Sequence, residues 1–352
     1  MADHNPIYHL KDSYYFEVPK LVWKRNWNTL EEVPEWLRQP YEKSGEPMPS
    51  VEEFNEAMSG KVLIPQPFAT PESLYTVRGF GISKYMILEV VLAVILYFIF
   101  TKLARQLETG RPAKGRMANL FEAFILFIRD QIARPAIDAH DDHGHDDHGQ
   151  ADQGHDDHGH NSRSHHGGGA VLAAHEGDRF VPLLLTLFFF VLGCNLLGMV
   201  PWAGSPTASF SVTLALAGVT FATVVVAGMK QFGPLGFFAN QVPSMDLPLP
   251  LAILLKPMIF AIEMLGLFIK HLILAVRLLA NMVAGHLVLL GIMGLISAAA
   301  VGPSAGLWAT VTGISVVSST LFSVLELFVA FLQAYIFTFL SALFIGASVH
   351  QH

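Results

Sequence analysis

From Leu249 to about Ala300 the chain runs through some 50 apolar residues with hardly a breaker among them. About 20 such residues suffice to cross a hydrocarbon core roughly 30 Å thick, so this stretch belongs in lipid. Yet Glu263, Lys270, His271, Arg277, Asn281 and His286 stand inside it. A charge at the bilayer centre costs roughly 2.5–3.5 kcal/mol on insertion scales. Arg277 is the hardest case, because guanidinium cannot shed its proton to escape that cost. It needs a partner or a polar passage, and any fold of this chain must supply one.

The stretch is too long for one perpendicular helix and too poor in breakers for two clear spans. A strongly tilted helix accommodates it. A second long apolar region, Leu307 to about Val349, follows the Gly302-Pro303 break and carries Glu326 and Gln333. Periodicity places these groups relative to one another. Residues 263, 270 and 277 are seven apart, and each step returns within about 20° of the same helix face. Glu263, Lys270 and Arg277 therefore form one stripe, and Asn281 at i+4 continues it. His286, nine residues past Arg277, falls on the opposite face of a straight helix. Glu326 and Gln333 are again seven apart. If the two long helices pack antiparallel, Glu326 approaches His286 while Gln333 approaches Arg277.

The remaining spans fit the composition. Of 352 residues, 52% are hydrophobic and 14% charged, with mean hydropathy +0.44, which marks a polytopic membrane protein rather than a soluble domain. Tyr85 to about Lys102 is a first span. The basic residues after it, Lys102 to Arg116, favour a cytoplasmic loop and so an outer N-terminus. Arg116–Arg134 has apolar residues at helical spacing and Pro135 at its end, which reads as an amphipathic helix in the interface. Phe180–Val200 and Ser209–Ala227 make a hairpin of two spans, closed by Gly228, Met229 and Lys230; Asn195 in the first suits an interhelical hydrogen bond. Gln231–Pro250, with four prolines, reads as a re-entry segment. Residues 1–82 are polar, aromatic and proline-rich, with a short helix near Val51–Ser59 and no signal-peptide layout.

The formal charge of −7 is confined to one place. Residues 138–168 hold nine His, eight Asp, six Gly and one Arg; the rest of the chain has 21 acidic and 21 basic residues. Such a segment cannot bury a core and is expected to be disordered. His143, His145, His148, His155, His158 and His160 are weak metal-ligand candidates, since imidazole and carboxylate bind Zn, Ni or Cu but no tetrahedral spacing is fixed. No basic patch points to nucleic acid. The single cysteine, Cys194, excludes an internal disulfide.

Glu and His exchange protons with water at accessible pH, and a chain of them inside a membrane marks a proton or ion path. Buried ion pairs that fix helix register are the plainer alternative, and His271 reads more readily as a core or interfacial histidine. Trp308 and Tyr335 read as packing or interface anchors.

At these residues the sequence resembles subunit a of the F-type ATP synthase, the membrane stator of the proton channel. The match rests on RLLANMVAGH at 277–286, LQAYIFTFLSALFI at 332–345, PTASFSVTLALA at 206–217 and LLKPMIFAIEMLG upstream. The resemblance covers about residue 80 to the C-terminus, apart from the His/Asp insert. It implies a non-catalytic, all-α polytopic subunit: one transmembrane helix and an interfacial amphipathic helix (83–137), the insert (138–168), a transmembrane hairpin (179–230) and two long, strongly tilted helices (231–352). It implies no cofactor. Its partners would be the c-ring rotor subunits, the peripheral-stalk b subunits, the rest of the complex and lipid, in the inner membrane of a bacterium. Arg277 matches the essential arginine and Gln333 the glutamine near it. Asn281, His286 and Glu326 match the outer half-channel, and Glu263 and Lys270 the inner one. Many bacterial members carry Glu and His in the opposite order at 286 and 326, and a compensated exchange implies contact. A sodium-coupled version is a variant of this reading. A divalent-metal transporter with a His-rich cytoplasmic loop is the competing class.

Overall fold

The structure, a computed structural model, describes residues 12–45, 47–107, 115–138, 176–200, 203–241, 249–301 and 305–350. Within these, five helices are long and apolar enough to cross a membrane. They are α3 (Lys84–Leu107), α6 (Val181–Gly198), α7 (Phe210–Asn240), α8 (Leu249–Ala300) and α9 (Ala305–Val349). At 1.5 Å per residue, the 52 residues of α8 extend about 78 Å and the 45 of α9 about 68 Å. Both exceed the thickness of a hydrocarbon core.

The core forms where α6, α7, α8 and α9 meet. Leu274, Leu278 and Met282 follow at i+4 along α8, each at most 1% exposed. Ala330, Ala334 and Phe337 face inward on α9. The alanines keep the α9 backbone close to its neighbours, which lets polar side chains on both helices meet. An aromatic cluster joins the periphery to this core: Phe100 of α3 and Phe121 of α4 (Arg116–Phe127) both stack edge or tilted on Phe189 of α6, with Phe124 and Phe188 beside them. α3 also packs tightly on α6 at Gly193, where a Cβ would lie 2.6 Å from Leu92.

Three breaks behave differently from the sequence reading. The helix that begins at Phe210 does not stop at Lys230. It bends at Gly233 (φ 77°, ψ 165°), a conformation open to glycine, and Pro234 starts the continuing turns. Phe237 then folds back over Gly228, where any side chain would strike its ring. Gly228 is thus a packing site, and Gln231–Asn240 is helical.

Pro135 also fails to end its helix. After α4 the backbone widens into a π-helical stretch, Ile128–Ala133, and α5 (Arg134–Ile137) continues it. The Arg134 N–H reaches back to the Arg129 carbonyl, so the wider ladder carries Pro135, which has no N–H to donate, in its first turn. Ile128, Ile132, Ala133 and Ile137 are fully buried, and α5 rests on α9 at Gly346, where any side chain would strike the Ala136 carbonyl.

The third difference lies in the N-terminal segment. Two helices, α1 (Glu35–Ser44) and α2 (Val51–Met58), are joined by two small antiparallel ribbons, β1 (Tyr15–Glu17) with β2 (Lys61–Leu63), and β3 (Ala69–Pro71) with β4 (Val77–Gly79). Three-residue strands are too short to show a period-two pattern. α2 coincides with the helix expected near Val51–Ser59, and its start carries a reciprocal Ser50/Glu53 capping box. The segment docks on the start of α3, where Asp12 accepts the Tyr85 N–H and Ser13 the Lys84 N–H.

The His/Asp-rich stretch lies outside the described residues, but its two flanks meet. Asp138 accepts the Gly177 N–H at 2.9 Å, and Arg134 grips the Asp178 carboxylate with two hydrogen bonds of 2.9 Å. Arg129 does the same to Asp130, and its hydrogen bonds hold the Asp130 carboxyl below the usual carboxylate range.

Candidate functional site

The polar groups of α8 span 24 residues from Glu263 to His286, or roughly 35 Å of helix axis, which matches the depth of a hydrocarbon core. Their surroundings change along that line. Glu263 and Lys270 are exposed and line a cavity of about 370 Å³ with Gln241, Phe344 and Ser348. Arg277, Asn281 and His286 are half-buried, and Glu326 and Gln333 on α9 are buried. One end of the stripe borders an open cavity and the other is enclosed between helices.

In the enclosed part α8 and α9 run antiparallel, and their polar residues meet in two layers. In the first, the Asn281 amide donates to the Gln333 carbonyl oxygen at 2.7 Å. Gln333 is therefore hydrogen-bonded to Asn281, which lies one turn past Arg277 on α8. In the second layer His286 Nδ1 stands 3.9 Å from Glu326 Oε1, within ion-pair reach but beyond a direct hydrogen bond. Gly285 is what brings Glu326 in: a Cβ there would lie 2.6 Å from the carboxylate oxygen. Gly285 shares a face with Asn281 at i+4, whereas His286 is 100° further round and reaches Glu326 from the side. The seam thus depends on a glycine that no titratable-residue search would select.

Arg277 has no such neighbour. Its Nε and Nη2 atoms are buried and make no hydrogen bond, and among the described residues no carboxylate forms an ion pair with it. Unmade hydrogen bonds on a charged group are costly in a low-dielectric setting. Its chemistry is a fixed positive charge, set along the stripe between an open cavity and a closed seam, with its Nε and Nη2 donors unpaired among the described residues.

His271 takes the plainer role. It is 3% exposed, its Nδ1 lies 2.8 Å from the Leu267 carbonyl oxygen, and its ring packs between Phe221 and Phe344. Asn195 goes further than a single interhelical bond. It is fully buried, donates to the Ala330 carbonyl at 3.3 Å and accepts from Thr207 at 2.8 Å, which in turn pairs with Ser205. This ties the α6–α7 turn to α9 one turn from Glu326. Tyr335 stacks on Phe339, and Trp308 is exposed. The six candidate metal ligands between His143 and His160 lie outside the described residues. Among the described residues no group of three His, Cys, Asp or Glu could hold a metal.

Sequence comparison identifies what this arrangement is similar to. A family model described as ATP synthase A chain matches residues 169–346, which contain α6 to α9 almost entirely. A protein named ATP synthase subunit a from Myxococcus xanthus is 35% identical over 275 residues, covering 77% of this chain and 75% of its own length. One of the same name from Chloroherpeton thalassium is 35% identical over 279 residues, 78% of this chain and 68% of its length. Another from Anaeromyxobacter dehalogenans reaches 43% over 182 residues, 51% of this chain and 44% of its length.

Proposed function

The chain belongs to the family of ATP synthase subunit a, the membrane stator subunit of the proton channel, and from that premise we propose that it couples proton flow to rotation through an ion pair made and broken at Arg277. The observation that carries this is the buried Nε and Nη2 of Arg277, unpartnered among the described residues and set between a cavity of about 370 Å³ and an enclosed polar seam. The missing partner is a carboxylate on another chain, one per subunit of a rotating c-ring.

The steps follow from the residue chemistry. Outer protons reach the seam at the Glu326 and His286 pair, one acid and one imidazole, and pass the Asn281–Gln333 layer. A rotor carboxylate there accepts a proton, becomes neutral and can enter lipid. After the ring has turned, the carboxylic acid meets the cavity lined by Glu263 and Lys270 and releases its proton to water on the other side. The resulting carboxylate is drawn to Arg277. Because guanidinium does not give up its proton, it cannot relay one, so protons cross only by way of the ring. The charge also raises the energy of any cation approaching along the seam.

The same reading sets the remaining placement. The subunit is non-catalytic and multi-pass, in the inner membrane of a bacterium. Its N-terminal segment is on the outer side and the His/Asp-rich insert in the cytoplasm. α8 and α9 lie strongly tilted along the ring, α4 lies in the interface, and the peripheral-stalk b subunits complete the stator. Family membership favours this over a divalent-metal transporter. Proton or sodium selectivity resides in the ring carboxylate site.

The test is Arg277→Ala in the assembled complex in sealed vesicles. ATP synthesis should fall to background while the ring and this subunit still co-purify. Synthesis at the unaltered rate would sink the mechanism.

A further inference from the structure

One cavity takes no part in the proton path. Where the start of α6, the middle of α7 and the end of α9 meet, the surface encloses about 440 Å³. Its walls are apolar: Phe180, Val219, Ala222, Val226, Ala227 and Val349. On α7 the contributing residues fall at 219, 222, 223, 226 and 230, which is one helix face. The Thr223 hydroxyl is spent on its own helix, donating to the Val219 carbonyl at 2.8 Å. Arg179 and Lys230 are the charged residues lining it, and Gln231 stands beside them.

Both cations are exposed and neither is paired with an acid among the described residues. The nearby carboxylates are already engaged: Asp130 by Arg129, and Asp178, next to Arg179 in sequence, by Arg134. The site therefore combines an apolar trough inside a span with two free positive charges beside it. A soluble anion would leave the trough wet, and a carboxylate-rich peptide segment could not fill it with apolar groups. A molecule with an acyl chain and an anionic head satisfies both halves, and basic pockets between transmembrane helices are where anionic lipid heads are held.

We propose that this cavity is a binding site for an anionic phospholipid of the cytoplasmic leaflet, its phosphate between Arg179 and Lys230 and one acyl chain along Val219, Ala222 and Val226. The proposal rests on reading α6, α7 and α9 as membrane spans and on the proposed orientation that puts Arg179 and Lys230 on the cytoplasmic side, and it does not depend on proton flow.

The test uses the assembled complex in nanodiscs with a photoactivatable phosphatidylglycerol and a phosphatidylcholine of the same acyl chains. Phosphatidylglycerol should label the peptide carrying residues 219–231, and phosphatidylcholine should not. Each neutralised cation, Arg179→Gln or Lys230→Gln, should weaken labelling about fivefold, and the pair about thirtyfold. Val226→Trp, which fills the trough and keeps both charges, should also remove the label. Equal labelling by the two lipids, an unchanged double variant, or full competition by inorganic phosphate would each overturn the proposal. So would a zero-length cross-link from Lys230 to the acidic insert at the expense of the lipid. Labelling is read without turnover, so a failed proton mechanism leaves this result standing, and the reverse also holds.

Discussion

Gly285 and Glu326 approach so closely that a methyl group on the glycine would lie 2.6 Å from the carboxylate oxygen. The contact sits in the same layer as His286, 3.9 Å from that oxygen. A carboxylate seated over a glycine has little freedom to leave its imidazole.

Gly285→Ala tests this seat. The struck atom ends a flexible side chain, so assembly should survive while Glu326 swings off its preferred rotamer. An off-rotamer cost of about 0.5–1.5 kcal/mol corresponds to a loss of up to roughly tenfold in rate. ATP-driven proton pumping in vesicles, compared with ring co-purification, reads the two separately. Unaltered pumping would remove the glycine from the mechanism.

The acid and the imidazole should be exchangeable. His286→Glu combined with Glu326→His should keep more passive proton flux than either change alone, because each single variant loses the mixed pair. A double variant no better than the singles would show that the 3.9 Å approach has no functional meaning.

Asn281 and Gln333 should behave as one unit. Removing either amide leaves a buried polar group unpaired, which costs about 1–3 kcal/mol, whereas replacing both by Leu removes the need for a partner. The thermal stability of the complex should therefore fall less in the double variant than the two single losses added together. Additive losses would mean that the 2.7 Å bond contributes nothing.

Deletion of residues 139–175 should leave the subunit assembled and pumping. The flanks already meet through Asp138 and Gly177, and Arg134 clamps Asp178 beside them, so the shortened chain needs almost no rearrangement. Loss of assembly, scored by co-purification with the ring, would give the insert a structural task.

Much of this molecule was legible before any coordinates. Long apolar runs mark spans by length alone, and a seven-residue spacing puts Glu263, Lys270 and Arg277 on one face whatever the tertiary fold. Periodicity anticipated the approach of Glu326 to His286, but it could not choose between Arg277 and Asn281, four residues apart on one face, as the hydrogen-bond partner of Gln333. Gly285 stood in the matched motif and Gly228 at the end of a span, but their packing role was hidden: it lies in the space they leave for Glu326 and Phe237, and a sequence does not display empty space. Lys230 misled as a terminator because a charged residue ends a span without ending a helix.

The orphaned N–H groups of Arg277 also bear on biogenesis. On the proposed mechanism, a subunit inserted ahead of its ring would hold a cation whose desolvation no described residue offsets, and would be the less stable form of the molecule. Joining the ring would remove that penalty, and by mass action the ring would stabilise this chain as a ligand does. The arginine proposed to make rotation productive would thereby favour the complete machine over the solitary subunit, leaving the latter the better target for a membrane protease.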